Sequence, residues 1–171
     1  MRGALPANPL LKALAAGDER AFATLYDRLG AAMLRVAWAL LGAQEAQDAV
    51  QDVFVSLVKS RERLLLVEDL EAYIFASLRH VVGRRLKRSK TERQQLAQLA
   101  MNMPVNAPTA SEIDPDIERA LRELPSAQRE VIALKIDAGL TFAQIAQVLG
   151  VSPNTAASRY RYALQKLRQM L

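Results

Sequence analysis

Cysteine is absent from the chain and histidine occurs once. The first absence excludes a disulfide framework and a thiolate metal site, and together they leave no donor set of the usual kind for zinc, so no metal and no cofactor are expected. Aromatic residues make up 5% of the sequence, and glycine and proline number seven each, which suits an all-helical chain. No apolar run approaches the roughly 20 residues that a membrane-spanning helix needs. Met1-Arg2-Gly3 leads into no signal-peptide core, so the expected location is the cytoplasm, without membrane insertion. Repeats and a Gly-rich phosphate loop are also missing.

What is present is basic and apolar: 51% hydrophobic residues, a formal charge of +5 and a pI near 9.8, which fit a partner rich in phosphate. The most legible stretch is Leu140 to Leu171. Thr141 and Gln144 have the spacing of a capping box, and Ile145, Ala146, Val148 and Leu149 give the helix after them an apolar side. Gly150 supplies a left-handed stop, Ser152 the next cap, and Pro153 the first helical position, where a missing N–H costs nothing. Ala156, Tyr160, Ala163, Leu164, Leu167 and Leu171 then recur at helical spacing and are expected inward. The outward residues are Asn154, Thr155, Ser158, Arg159, Arg161, Tyr162, Gln165 and Lys166, a set of hydroxyls, amides and cations of the kind that contacts phosphates and base edges. The stretch reads as a helix–turn–helix whose second helix enters the major groove. The plainer reading is a helical hairpin with a solvated basic face.

Upstream, Asn8-Pro9 opens a short helix closed by Gly17, and Asp18 caps the next, with Phe22, Leu25, Tyr26 and Leu29 as its stripe. Gly30 is a point at which it can break or bend, before a helix from Met33 to Leu41 that is apolar nearly all round and so belongs mid-bundle. From Ala43 to Ser60, Ala46, Ala49, Val50, Val53, Phe54 and Leu57 face inward, while Glu45, Asp48 and Asp52 lie on the other side with Gln44, Gln47 and Gln51. Asp48 and Asp52 are one turn apart, yet no nucleophile or base accompanies them and nothing predicts their burial. A docking surface for a basic partner, or a merely solvated face, accounts for them better than catalysis.

Ser60 to Leu70 breaks the helical period and reads as a loop carrying Leu64-Leu65-Leu66-Val67. Asp69 starts a helix with Leu70, Tyr73, Ile74, Leu78 and Val81 inward, whose far end is strongly basic: Arg79, Arg84, Arg85, Lys87, Arg88, Lys90 and Arg93. Composition then shifts over Met101 to Asp116 to Pro, Asn, Ala, Thr and Ser, the signature of a linker. After it come a helix capped by Asp116 and stopped near Pro125, another capped by Ser126 and closed by Gly139, and the helix–turn–helix. The expected architecture is therefore all-α: a helical domain over 1–96, a flexible linker over 97–115 and a four-helix domain over 116–171.

Three pieces of sequence carry a resemblance. Ala46-Gln47-Asp48-Ala49-Val50-Gln51-Asp52-Val53-Phe54 is similar to A-E-D-x-x-Q-[DE]-x-F. Leu124-Pro125-Ser126-Ala127-Gln128-Arg129-Glu130-Val131-Ile132 is similar to L-P-x-x-x-R-x-[VA]-[IF]. Leu140 to Ala156 is similar to L-[ST]-[YF]-x-[ED]-I-A-x-x-[LM]-G-[VI]-[ST]-x-x-T-[VA]. In this order, over nearly the whole chain, they resemble the extracytoplasmic-function sigma factors of bacterial RNA polymerase. The resemblance implies a non-enzymatic factor, monomeric when free, that binds core polymerase through Asp48, Gln51 and Asp52 and has an anti-sigma protein as a further partner. It implies that the loop around Leu64 to Asp69 and the helix bearing Tyr73, Arg79, His80, Arg84, Arg85 and Arg88 read and melt the minus-ten promoter element. Asn154, Thr155, Ser158 and Arg159 would read the minus-thirty-five element, with Arg161 and Lys166 nearer the phosphates. Departures from the pattern are Gln47 for Glu, Tyr73 for Trp, His80 for Asn, and Ala157 where Lys or Arg is frequent. The rival readings are a stand-alone helix–turn–helix regulator, which would need a dimerisation seam, and a sigma-like decoy that only engages an anti-sigma protein.

Overall fold

The computed structural model of the chain describes residues 8–97 and 114–171, and these are helical with no strand among them. Residues 1–7 and 98–113, and with them most of the expected linker and the loose N-terminal end, lie outside the described residues. Eight α-helices follow in order: α1 (Pro9–Ala15), α2 (Glu19–Leu41), α3 (Ala43–Lys59), α4 (Leu70–Ala97), α5 (Pro115–Glu123), α6 (Ser126–Ile132), α7 (Phe142–Leu149) and α8 (Pro153–Met170).

Their starts are set locally. Asn8 accepts the N–H of Leu10, Asp18 that of Arg20 and Asp69 that of Ala72, each satisfying a backbone donor that the first helical turn leaves open. Thr141 and Gln144 form the reciprocal capping box, and Ser152 accepts the N–H of Thr155. Gly42 at φ 88° turns the chain from α2 into α3 in one residue, and Gly150 at φ 65° ends α7 and opens the three-residue turn to α8.

Several expectations change. Gly30 does not break the helix: α2 runs unbroken from Glu19 to Leu41. Gly30 is buried, and a Cβ there would come within 3.3 Å of the Tyr26 ring. That ring crosses the missing side chain and meets Phe54 of α3 edge-on, 5.3 Å between centroids, so Tyr26 is 56% exposed rather than part of the inner stripe. Burying the helix on both sides of Gly30 outweighs a propensity cost of about 1 kcal/mol. Trp38 also lies at the surface, while Met33, Val36 and Ala37 reach the core. The stretch after Ser60 is not a loop but a 3₁₀ turn, Arg61–Leu66, which buries Leu64 and leaves Leu66 85% exposed. The cap of α5 is Asp114, which accepts the N–H of Asp116, and α6 begins at Ser126 without a side-chain cap. The end of α6 widens into a π-helical turn, Ala133–Asp137. Leu171, expected inward, is exposed.

The two ends of the chain pack together. One apolar cluster runs from Leu14, Leu25, Met33 and Phe75 through to Val131, Leu134, Leu140 and Ile145. α7 lies on α4, and the π-helical turn lies on α2. Around this seam Arg79 Nε meets Glu130 Oε1 at 2.6 Å, Gln144 Nε2 donates to Asp69 Oδ2 at 3.1 Å, and Arg35 Nη2 donates to the carbonyl of Asp137 at 3.2 Å. A second, smaller cluster of Leu124, Ile132 and Ala163 joins α6 to α8.

Arg129, part of the L-P-x-x-x-R pattern, is a structural residue. Its guanidinium donates to the carbonyls of Leu121, Arg122 and Leu124 and so closes the C-terminal end of α5 against α6. Burial, with Arg122 adding to it, lowers its pKa from the ordinary value. Arg129→Met should lower the unfolding free energy by about 2–3 kcal/mol, the loss of hydrogen bonds to a charged donor, readable from urea denaturation. Asp137 offers a pH readout. Burial pushes its carboxyl above the ordinary value, and the nearby Arg35 opposes the shift. The native state therefore keeps a proton that the unfolded chain has lost, so this contribution to stability is full below the ordinary carboxylate range and disappears as pH rises through the raised value. Asp137→Asn should raise Tm at neutral pH, and the gain should shrink as pH falls into the carboxylate range. A lower Tm at neutral pH would show that attraction to Arg35 outweighs burial.

Candidate nucleic-acid interface

The C-terminal recognition surface is built on α8. Ala156 and Ala163 are fully buried, and Tyr160 packs edge-on against Phe142 of α7 with ring centroids 5.6 Å apart. Lys135 sits over the Phe142 ring, its Nζ 4.9 Å from the ring centre and donating to the Leu140 carbonyl. These contacts fix the rotation of α8 and so decide which residues face solvent. Asn154 and Arg161 are exposed, while Thr155, Ser158, Arg159 and Lys166 are partly exposed. The Thr155 hydroxyl lies 2.9 Å from that of Ser152, and Arg161 donates to Ser158 Oγ at 3.3 Å. Among the described residues, no carboxylate stands within 4 Å of Arg159, Arg161 or Lys166. The helix thus offers a polar, cationic face on a rigid mount.

The first basic helix is arranged differently. On α4, Arg79, His80, Arg84, Lys87, Arg88 and Lys90 are exposed, and Tyr73 is partly buried at the edge of the core. The side chain of Arg93 lies outside the described residues. Arg79 is engaged by Glu130, whose own side chain is 17% exposed, and Arg88 pairs with Glu92 one turn on at 2.9 Å. Arg85 turns the other way, towards α3, with Nη2 2.6 Å from Asp52 and Nη1 3.7 Å from Glu45. The hydrogen bond that Arg85 donates to Asp52, with the charges of Asp52, Glu45 and Asp48, raises its pKa further, against some loss of hydration. The predicted minus-ten residues are therefore not one continuous stripe: Arg85 faces the acidic helix.

On α3, Asp48, Gln51 and Asp52 all lie on the exposed side, with Gln44 and Gln47 beside them. Val55 and Val58, at 45% and 43% exposure, continue this face with apolar groups. Carboxylates flanked by exposed valines suit a docking surface, and no closed cavity surrounds them. Among the described residues there is also no cluster of histidine and acidic side chains able to hold a metal. Glu130, Gln144 and Arg35 are contacts that the sequence did not single out. Each joins segments on either side of the linker, across 51 positions for Glu130 with Arg79, 75 for Gln144 with Asp69 and 102 for Arg35 with Asp137.

These features can be set beside known proteins. Two family models match: Sigma-70 region 2 over residues 25–92 and Sigma-70, region 4 over residues 115–167. Among curated relatives, the ECF RNA polymerase sigma factor SigL of Mycobacterium tuberculosis is 28% identical over 167 residues, covering 92% of each chain. SigM of the same organism is 29% identical over 164 residues, covering 95% of this chain and 83% of its own. SigW of Bacillus subtilis is 21% identical over 176 residues, covering 94% of each. Among solved structures, CnrH in complex with the cytosolic domain of CnrY superposes with a TM-score of 0.69 at 26% identity, covering 94% of each chain. The sigma factor RpoE of Bartonella quintana, in complex with the anti-sigma factor NepR, has the same fold, with a TM-score of 0.68 at 23% identity over 86% of this chain and 96% of that one. Region 2 falls on the acidic and basic helices α3 and α4, and region 4 on the helix–turn–helix. The chain belongs to the extracytoplasmic-function sigma factors, which bind core RNA polymerase and direct it to initiate transcription at promoter DNA.

Proposed function

We propose that the three surfaces divide the work of initiation. The carboxylate face of α3, through Asp48, Gln51 and Asp52, docks core polymerase. The helix α4, through Tyr73, Arg79, His80, Arg84, Arg85 and Arg88, with the 3₁₀ turn before it, grips and melts the minus-ten element. The N-terminal half of α8, through Asn154, Thr155, Ser158 and Arg159, reads the minus-thirty-five element, and Arg161 and Lys166 hold phosphates. The domain bounds 1–96, 97–115 and 116–171 go with this division. The chain supplies no catalysis of its own, works in the cytoplasm beside the polymerase and is a monomer when free. No helix among the described residues is long and apolar enough to cross a membrane. An anti-sigma protein is a further partner, a reading supported by the likeness to CnrH, solved with CnrY.

The observation that carries the proposal is the mount of α8: its apolar side is fixed by α6 and α7 while its hydroxyl, amide and cationic side is left to solvent. A distance then sets a requirement. Two elements about 25 base pairs apart are separated by about 85 Å at roughly 3.4 Å per base pair. A compact chain of 171 residues has a radius of gyration of about 16 Å, or about 40 Å across. The docked arrangement cannot touch both elements, so the seam between α7 and α4 opens when polymerase and promoter are engaged.

The central experiment is to combine core polymerase with the protein and sequence the transcripts that start. Absence of promoter-specific starts with a folded protein would overturn the proposal. The double variant Asp48→Lys/Asp52→Lys should lose polymerase affinity by more than about tenfold, as expected for like charge placed at a docking face, with its melting curve preserved. Arg159→Ala should cost about 1–3 kcal/mol in upstream-element recognition and relax base preference there, measured on a panel of promoter variants. Because the chain has no native cysteine, Ala23→Cys and Gln169→Cys can carry a dye pair. Energy transfer should be high in the free protein and fall when polymerase and promoter are added.

A further inference from the structure

Among the described residues of α4, Arg85 is the cation paired with the carboxylates of α3. Its guanidinium sits between Asp52 at 2.6 Å and Glu45 at 3.7 Å, with Asp48 contributing at longer range. The acidic face is therefore partly neutralised from within. Asp52 is nonetheless half-exposed, its side chain 51% accessible against 24% for Arg85, so one carboxylate oxygen remains open to another partner. The arrangement also leaves Arg85 incompletely satisfied. Its Nε is buried and finds no acceptor among the described residues, although a guanidinium has five donors to place. Beside it is a cleft of about 450 Å³, walled by Glu45 and Asp52 of α3 and by Val81, Arg84, Arg88, Ser89 and Glu92 of α4, where Arg88 is paired with Glu92 at 2.9 Å and would have to leave it to reach a phosphate. A phosphate entering that cleft would meet three guanidinium groups, Arg85 among them, once Asp52 is otherwise engaged.

We propose that Arg85 is an exchange residue: in the free chain it occupies Asp52, and when core polymerase takes Asp52 it passes to a DNA phosphate in the adjacent cleft. The proposal rests on the assignment of the α3 face to docking. An ion pair this exposed is worth little by itself, so a polymerase surface with several cations on one side and a phosphate on the other displace it readily. Coupling of this kind is reciprocal. Polymerase docking strengthens the grip of α4 on DNA, and DNA captured by Arg85 strengthens docking, through one shared side chain.

Two measurements on the full chain test it. In the first, labelled core polymerase is titrated with the parent, Arg85→Ala and Asp48→Lys proteins, without DNA. Removing the internal competitor should tighten binding about two- to fivefold in Arg85→Ala, whereas Asp48→Lys should weaken it. Loss of binding in Asp48→Lys with no gain in Arg85→Ala overturns the exchange and spares the docking assignment. Unchanged binding in Asp48→Lys overturns the docking assignment and the exchange with it. The second measurement needs no polymerase and does not depend on the folding of the Ala variant alone. A labelled 30-base-pair duplex of arbitrary sequence is titrated over a range of salt. Asp52→Asn releases Arg85 and should steepen the slope of log K against log salt by about 0.9, the value of one further phosphate contact. The same substitution made together with Arg85→Ala should leave the slope where Arg85→Ala alone puts it. Equal steepening in both backgrounds would mean that the lost carboxylate acts through overall charge, and would overturn the exchange.

Discussion

The seam between the two ends of the chain is apolar at its centre and charged at its rim, and that division governs how the molecule can behave. The centre is made by Leu140, Ile145 and Leu134 meeting the cluster around Phe75 and Leu25. Non-directional burial of this kind holds the seam closed without fixing what happens at its edges. The rim is made by Arg79 with Glu130, Gln144 with Asp69, and Arg35 with a backbone carbonyl. Rim contacts between partly exposed groups add little to stability. They do decide which cations remain open to a partner. Closure thus comes from the core and selectivity from the edge.

Much of this was legible in the sequence where its cause is local. Capping is a matter of a few neighbouring residues, so Asn8, Asp18, Thr141 with Gln144, and Ser152 could be read as helix starts and are found so. The left-handed stop at Gly150 is equally local. Gly30 was not legible, because what keeps α2 whole is the Tyr26 ring lying over it and against Phe54, a contact between two helices. The π-helical end of α6 and the exposure of Leu171 are likewise consequences of packing. At the site, the residue types on α3, α4 and α8 could be listed from periodicity, and the structure places Asp48 and Asp52 in solvent and Arg159 outside the core, as that reading required. What periodicity cannot supply is the partner of a charge. Arg85 and Asp52 are 33 positions apart and Arg79 and Glu130 are 51 apart, so only the fold reveals that these cations are engaged.

That engagement separates the two basic helices in kind. On α4, Arg79, Arg85 and Arg88 each have a carboxylate, drawn respectively from α6, α3 and α4 itself. On α8, no carboxylate among the described residues comes within 4 Å of Arg159, Arg161 or Lys166. A polyanion approaching the closed molecule meets a helix open to it in α8 and one partly answered in α4, where Arg84, Lys87 and Lys90 are exposed with no carboxylate within 4 Å among the described residues. Two of the carboxylates that answer α4 come from other helices, Glu130 from α6 and Asp52 from α3, while Glu92 is on α4 itself; under the division of work proposed above, Glu130 would leave when the seam opens and Asp52 would be covered when polymerase docks. On that proposal the contacts of Arg79 and Arg85 with DNA are conditional on these two events, whereas the cations of α8 wait on neither. In a basic protein, holding cations of the proposed melting helix on the chain's own carboxylates until the polymerase is in place would limit unproductive binding to non-specific DNA.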